Sequence, residues 1–201
     1  MTDINDKSGI LVQGHIKIFD PESNEILIDK RNAIHYENMS IALAESLANS
    51  GQGFISEMSF GNGGTSVDPT GIITYLTPNT TGTNASLYRQ TFSKIVDDRN
   101  ANNTDPARNK LEIRHVSGTN YTDVFVSCLL DYGEPNGQDA FDTATSEDSP
   151  YVFDELGLRS YSPTGDGRLI THVIFHPVQK SLNRLIQIDY TVRIQSLSGV
   201  W

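Results

Sequence analysis

Cysteine is nearly absent from this chain. The one copy, Cys128, excludes an internal disulfide framework and any cysteine-built zinc cluster. Its setting, "TDVFVSCLLD", predicts a small buried hydrophobe rather than a reactive thiol. Tryptophan is as rare, with Trp201 alone, so a carbohydrate-binding surface would have only Trp201, tyrosines and phenylalanines for its aromatic platforms. Basic residues are few: 15 Lys and Arg against 25 Asp and Glu leave a net charge of −10. Phosphate backbones are held by clustered Lys and Arg, and no such cluster occurs, so direct nucleic-acid binding is not expected. No apolar run approaches the roughly 18–20 residues that span a bilayer. The opening "MTDINDKSG" has neither the basic start nor the apolar stretch of a signal peptide. The expectation is a protein of a cytoplasm-like compartment, without a membrane partner, that leaves it only inside an assembly.

What the chain has in quantity is alternation. In "ILVQGHIKIFD", Ile10, Val12, Ile16 and Ile18 alternate with Gln13, His15 and Lys17, the period of a half-buried strand. "DPESNE" supplies a turn and "ILIDK" a return strand, giving a hairpin. Between residues 33 and 49 the period changes, with Ala33, Tyr36, Ser40, Leu43 and Leu47 at spacings of three and four. That predicts one helix over about 33–49, with Asn32 as N-cap and Gly51 just past its end.

Seven further segments read as strands: "FISEMSF", "GIITYL", "ASLYRQTFSKIVD", "KLEIRHV", "TDVFVSCLLD", "RLITHVIFHPV" and "RLIQIDYTVRI". They are rich in β-branched and aromatic residues, with Gly, Pro, Asn and Asp between them. In the last, Ile186, Ile188, Tyr190, Val192 and Ile194 face one way. The fold expected is mainly β: an antiparallel β-sandwich or barrel with one α-helix. Residues 1–8 read as a flexible N-terminal arm and 9–201 as a single domain with long loops near 97–110 and 132–150. Residues 131–155 hold eight acids and no Lys or Arg. They are expected to form a mobile acidic loop, with Phe141 and "YVF" ready for a neighbour to cover.

Each candidate site fails a chemical test. "FGNGGTS" carries Gly61 and Gly63 of a dinucleotide fingerprint, but Ser66 stands at the third glycine and a strand follows instead of a helix. A P-loop would need Gly-Lys-Ser/Thr. The glycines are therefore read as a tight turn with positive φ angles. His172 and His176 have the spacing of helical zinc ligands, yet on a strand four residues span about 13 Å, too far to share a metal. His35 is placed within the helix and His15 on a hairpin face. Asp131, Glu134, Asp139 and Asp142 lack calcium-loop spacing and read as solvated charge. No G-x-S-x-G elbow occurs. Catalytic, cofactor and metal residues are accordingly all expected to be none, and the chain is expected not to be an enzyme.

The order of segments carries a further indication. A hairpin precedes "RNAIHYENMSIALAESLANSGQGFISEMSFGNGGT", and "FDELGLRSYSPTGDGRLITHVIFHPVQKSLNRLIQIDYTVRI" follows much later. The matching positions are Asn32, Phe60 to Gly64, Glu155 to Leu158, Leu169 to Ile170 and Phe175 to Lys180. This resembles virion structural proteins of tailed bacteriophages, of the tail, neck, baseplate or fibre-attachment type. The resemblance covers about half the chain and departs from the pattern over 78–150. It implies a non-enzymatic subunit that assembles as a ring or sleeve in the neck or tail, located in the virion, with copies of itself and other virion proteins as partners. A capsid decoration or fibre-type subunit is the next reading, and a carbohydrate-binding β-sandwich module the third.

Overall fold

The computed structural model describes residues 8–135 and 151–198. Residues 1–7 of the expected arm and most of the expected acidic loop lie outside them. β1 (Ser8–Phe19) and β2 (Ile26–Ile34) form the hairpin. Its turn is closed by the Asp20 carboxylate, which accepts from the backbone N–H groups of Glu22 and Ser23. Then come α1 (Tyr36–Leu47), β3 (Ile55–Gly61), β4 (Thr65–Val67), β5 (Ile73–Tyr75) and β6 (Gln90–Ile95). β7 (Lys110–His115), β8 (Tyr121–Leu130), β9 (Tyr151–Ser160), β10 (Thr171–Lys180) and β11 (Ile186–Ser198) complete the chain.

Nine strands make one antiparallel sheet in the order β6-β3-β9-β10-β2-β1-β11-β8-β7, while β4 and β5 pair only with each other. The sheet has a seam. β10 and β2 share two residue pairs, Thr171↔Ile34 and His172↔Ala33, whereas β1 and β11 are paired over their whole length. At this seam the sheet curls, and its two halves enclose one apolar cluster. Ile16, Ile18, Val126, Ile188 and Tyr190 enter it from one half, Met58, Phe60, Phe153, Leu156 and Phe175 from the other. Lys94 of β6 also reaches across, donating to the Leu129 carbonyl of β8 at 2.7 Å. The fold is therefore mainly β with one helix, as the alternating segments require. Cys128 is fully buried in the shared core, and burial pushes its thiol up to about 12.

The helix is shorter than its sequence pattern and shows a different face. Asn32 is not its cap. It lies in β2, its side chain packed over Gly14 and donating to the Tyr190 hydroxyl. Ala33 and Ile34 stay extended because they pair with β10, and β-branched Ile34 suits a strand. His35 caps α1 from outside, Nδ1 accepting from the Asn38 backbone N–H at 3.1 Å. At the other end Asn49 takes the left-handed conformation, φ 49°, ahead of Gly51. Asn38, Met39 and Ala42 are buried, whereas Ser40 and Tyr36 are exposed and Leu47 is 87% exposed. Asn38 turns inward because its Nδ2 donates to the Leu169 carbonyl, a polar demand that no apolar periodicity registers.

The long loop expected near 97–110 runs between β6 and β7 and is knitted by internal bonds. Asn103 Nδ2 donates to the carbonyls of Asp97 and Asn109, and buried Asn109 accepts from the Leu129 N–H. The acidic segment is interrupted by β9, which the sequence reading missed. Tyr151 and Phe153 are fully buried in the core, so no neighbour covers them. Asp131 pairs with Arg108 and Glu134 with Lys94, while 136–150 lie outside the described residues.

Candidate functional site

β9, "YVFDELGLRS", lies between β3 and β10 and carries three charged residues into the interior: Asp154, Glu155 and Arg159. Isolated buried charges cost several kcal/mol each, roughly, so their partners define what the strand is for. Asp154 Oδ1 accepts from the Gly64 N–H at 2.9 Å, and Oδ2 from the Thr65 N–H at 2.9 Å and the Thr65 hydroxyl. Glu155 Oε1 accepts from the N–H groups of Gly63 and Arg89, at 3.1 and 2.8 Å. Its Oε2 accepts from the Tyr88 N–H at 2.9 Å and from His172 Nε2 at 3.0 Å. Burial pushes the Glu155 carboxyl up, but the bonds from His172, Arg89 and Tyr88 outweigh it and hold the group below its ordinary value. Among the described residues Arg159 donates to neutral oxygens: Ser59 Oγ, the Gly167 carbonyl, Ser86 Oγ and Gln90 Oε1.

Two buried histidines complete the arrangement and share one logic. His172 Nδ1 accepts from the Asn79 N–H at 2.8 Å, which puts the ring proton on Nε2, facing Glu155. His35 Nδ1 accepts from the Asn38 N–H, leaving Nε2 to donate to the Gly82 carbonyl at 3.0 Å. In each ring both nitrogens are thus hydrogen-bonded. Asn79, Gly82, Ser86, Tyr88 and Arg89 all belong to the segment between β5 and β6. This long irregular strap is held to the sheet by Glu155, Arg159, His172 and His35.

The glycines of "FGNGGT" work by close approach. None of Gly61, Gly63 and Gly64 has a positive φ, contrary to the turn expected. A Cβ at Gly61 would stand 2.4 Å from the Arg89 carbonyl and 2.5 Å from Glu155 Oε1; at Gly63 it would stand 2.8 Å from the Arg89 backbone nitrogen. The loop does cradle an anion with its amides, as phosphate loops do. The anions are the chain's own Asp154 and Glu155. Every acceptor position of Glu155 faces a donor of the protein, and the residue is fully buried, so this carboxylate–histidine pair is built as an anchor.

The segments that carried the phage resemblance converge here. Phe60 and Phe175 both meet Phe153 edge-on, at centroid distances of 5.5 and 5.7 Å. Gly157 of "ELGL" admits the Thr171 carbonyl and Leu169, which a Cβ would meet at 2.4 and 2.5 Å. Pro177 of "FHPV" falls where the β9–β10 register shifts, between Ile174 and Val178, a place where a strand proline loses no ladder bond. Asn32 stands apart, in β2. His172 is buried and His176 exposed on the same strand, and His15 faces Asp29 on the hairpin at 2.8 Å. Among the described residues no group of three or more His, Cys, Asp or Glu is placed to hold a metal. The anchor itself escaped sequence reading because Asp154 and Glu155 were counted with an acidic loop; the alternation of Tyr151, Phe153 and the leucines behind them was the available signal.

No protein-family model, curated protein or solved structure matches the chain.

Proposed function

We propose that this chain is a non-enzymatic structural subunit of a tailed-bacteriophage virion, assembling with copies of itself into a ring or sleeve of the neck or tail. The observation that carries the reading is where its buried polar groups are directed. Asp154, Glu155, Arg159, His172 and His35 all fasten surface segments, the β4–β5 hairpin and the 76–89 strap, to the sheet. An assembly subunit requires surface segments of fixed shape, because order supplied in advance lowers the entropic cost of association. The composition accords with this: an acidic chain with one buried thiol, whose segment order resembles that of phage virion proteins.

Electron micrographs of the purified protein test the proposal. Rings or short tubes of uniform diameter are expected. Dispersed single particles that are retained on an immobilised glycan would replace this reading with the carbohydrate-binding one.

A further inference from the structure

The β4–β5 hairpin stands outside the main sheet and shows apolar side chains to solvent. Val67 is 62% and Ile72 63% exposed, and Tyr75 and Leu76 are partly so. Between Thr65 and Leu76 its one charge, Asp68, is consumed by the hairpin's own turn, accepting from Thr70 and Ile72. The hairpin is too small to bury these groups itself. Its root is nevertheless held rigidly, by Asp154 on Gly64 and Thr65.

The converse feature lies elsewhere on the same sheet. An apolar cavity of about 500 Å³ opens between α1, the start of β3 and the sheet edge at β7, lined among others by Leu43, Phe54, Leu111, Ile113 and Ile194. Ile113 at its border is 80% exposed. β7 ends the sheet, so its outer backbone groups pair with no strand of the described residues. β3 links the two features: Phe54 and Ile55 line the cavity, and Gly61 leads into the hairpin root. Six residue steps along a strand separate them by about 20 Å. The hairpin also runs away from the cavity, since Tyr75 bonds His176 while Ile170, six residues earlier on the same stretch, lines the cavity wall.

An apolar arm and an apolar recess about 20 Å apart along β3 do not meet within one copy. We infer that the β4–β5 hairpin of each copy seats Val67 and Ile72 in the α1–β7 cavity of the next. This inference rests on the ring or sleeve proposed above and supplies its contact. Such an interface joins different surfaces of identical chains, so it propagates head to tail and closes into a ring or extends as a tube.

Disulfide trapping decides the matter. Copies carrying Ile72→Cys are mixed with copies carrying Ser46→Cys, an exposed cavity-lining position on α1; the native Cys128 is fully buried and gives little background. Cross-linked pairs are expected from the mixture and a ladder from the double variant. Ile72→Asp and Ile113→Asp, both at exposed positions, should each weaken self-association at least about tenfold with the far-UV spectrum unchanged, whereas Ile26→Asp should not. Oligomers that form without the cross-link and ignore Ile72→Asp would overturn the hairpin contact and leave the ring proposal standing. A chain that stays monomeric at every concentration and never cross-links would overturn both.

Discussion

Glu155 is fully buried, and four donors surround its carboxylate. Replacing it by Gln turns one acceptor into a donor that faces backbone N–H groups, so Glu155→Gln is expected to cost at least about 1–3 kcal/mol, the range for leaving a buried donor without an acceptor. Urea titration measures this. Because the folded carboxyl lies below its ordinary value, Glu155 lends stability that is complete above the unfolded pKa, about 4.3, and is lost as pH falls through the folded one. The wild type should therefore lose stability on acidification more steeply than the variant. Lys180 acts in the opposite sense. Buried at the end of β10, with its ammonium on the carbonyls of Asp131 and Ser181, it is pushed by burial down to about 8, against the pull of Glu134 and Asp131. Between that value and the unfolded one, about 10.4, the unfolded chain binds the extra proton, so this residue's contribution to stability rises with pH. The gain amounts to about 3 kcal/mol in the limit. In Lys180→Met the rise between pH 8 and 9.5, roughly that window short of tyrosine ionisation, should vanish; an unchanged profile would show that Lys180 stays protonated there.

The root of the β4–β5 hairpin is held chiefly by the Asp154 carboxylate. If Asp154 fixes it, Asp154→Ala should speed hydrogen exchange at Gly64, Thr65 and the short β4–β5 ladder by about tenfold or more, since bonds to a charged acceptor contribute roughly 1.5–3 kcal/mol. Amides of the long β1–β11 ladder should exchange as before. Uniform acceleration across both would mean that Asp154 supports the whole fold rather than the arm. Elements were legible in the sequence wherever solvent covered one face. β11 and the β1–β2 hairpin announced themselves because polar residues alternate outward. β9 stayed hidden because both of its faces are buried, so Asp154, Glu155 and Arg159 point inward and resemble loop residues. The helix was found but its bounds and face were not: pairing of Ala33 and Ile34 with β10 and the inward bond of Asn38 are tertiary facts. The glycine loop reads in the sequence as a tight turn, whereas the reason for its glycines, contact with Glu155 and Arg89, lies in two segments distant in sequence.

For the whole molecule, the curled nine-stranded sheet carries an apolar arm and an apolar recess at separate places on its surface, which the proposed repeating contact would join. The net charge of −10 makes copies repel over about a Debye length, roughly 8–10 Å at ordinary ionic strength, so the proposed assembly would have to be held by apolar contact rather than long-range attraction. Quantitative mass spectrometry of purified phage particles from a host that expresses this chain tests the central claim most directly. The account predicts the chain in intact virions at a fixed, small multiple copy number, retained after high-salt washing because its contacts are apolar. Its absence from the particles, with the chain remaining wholly in the soluble lysate, would contradict the account.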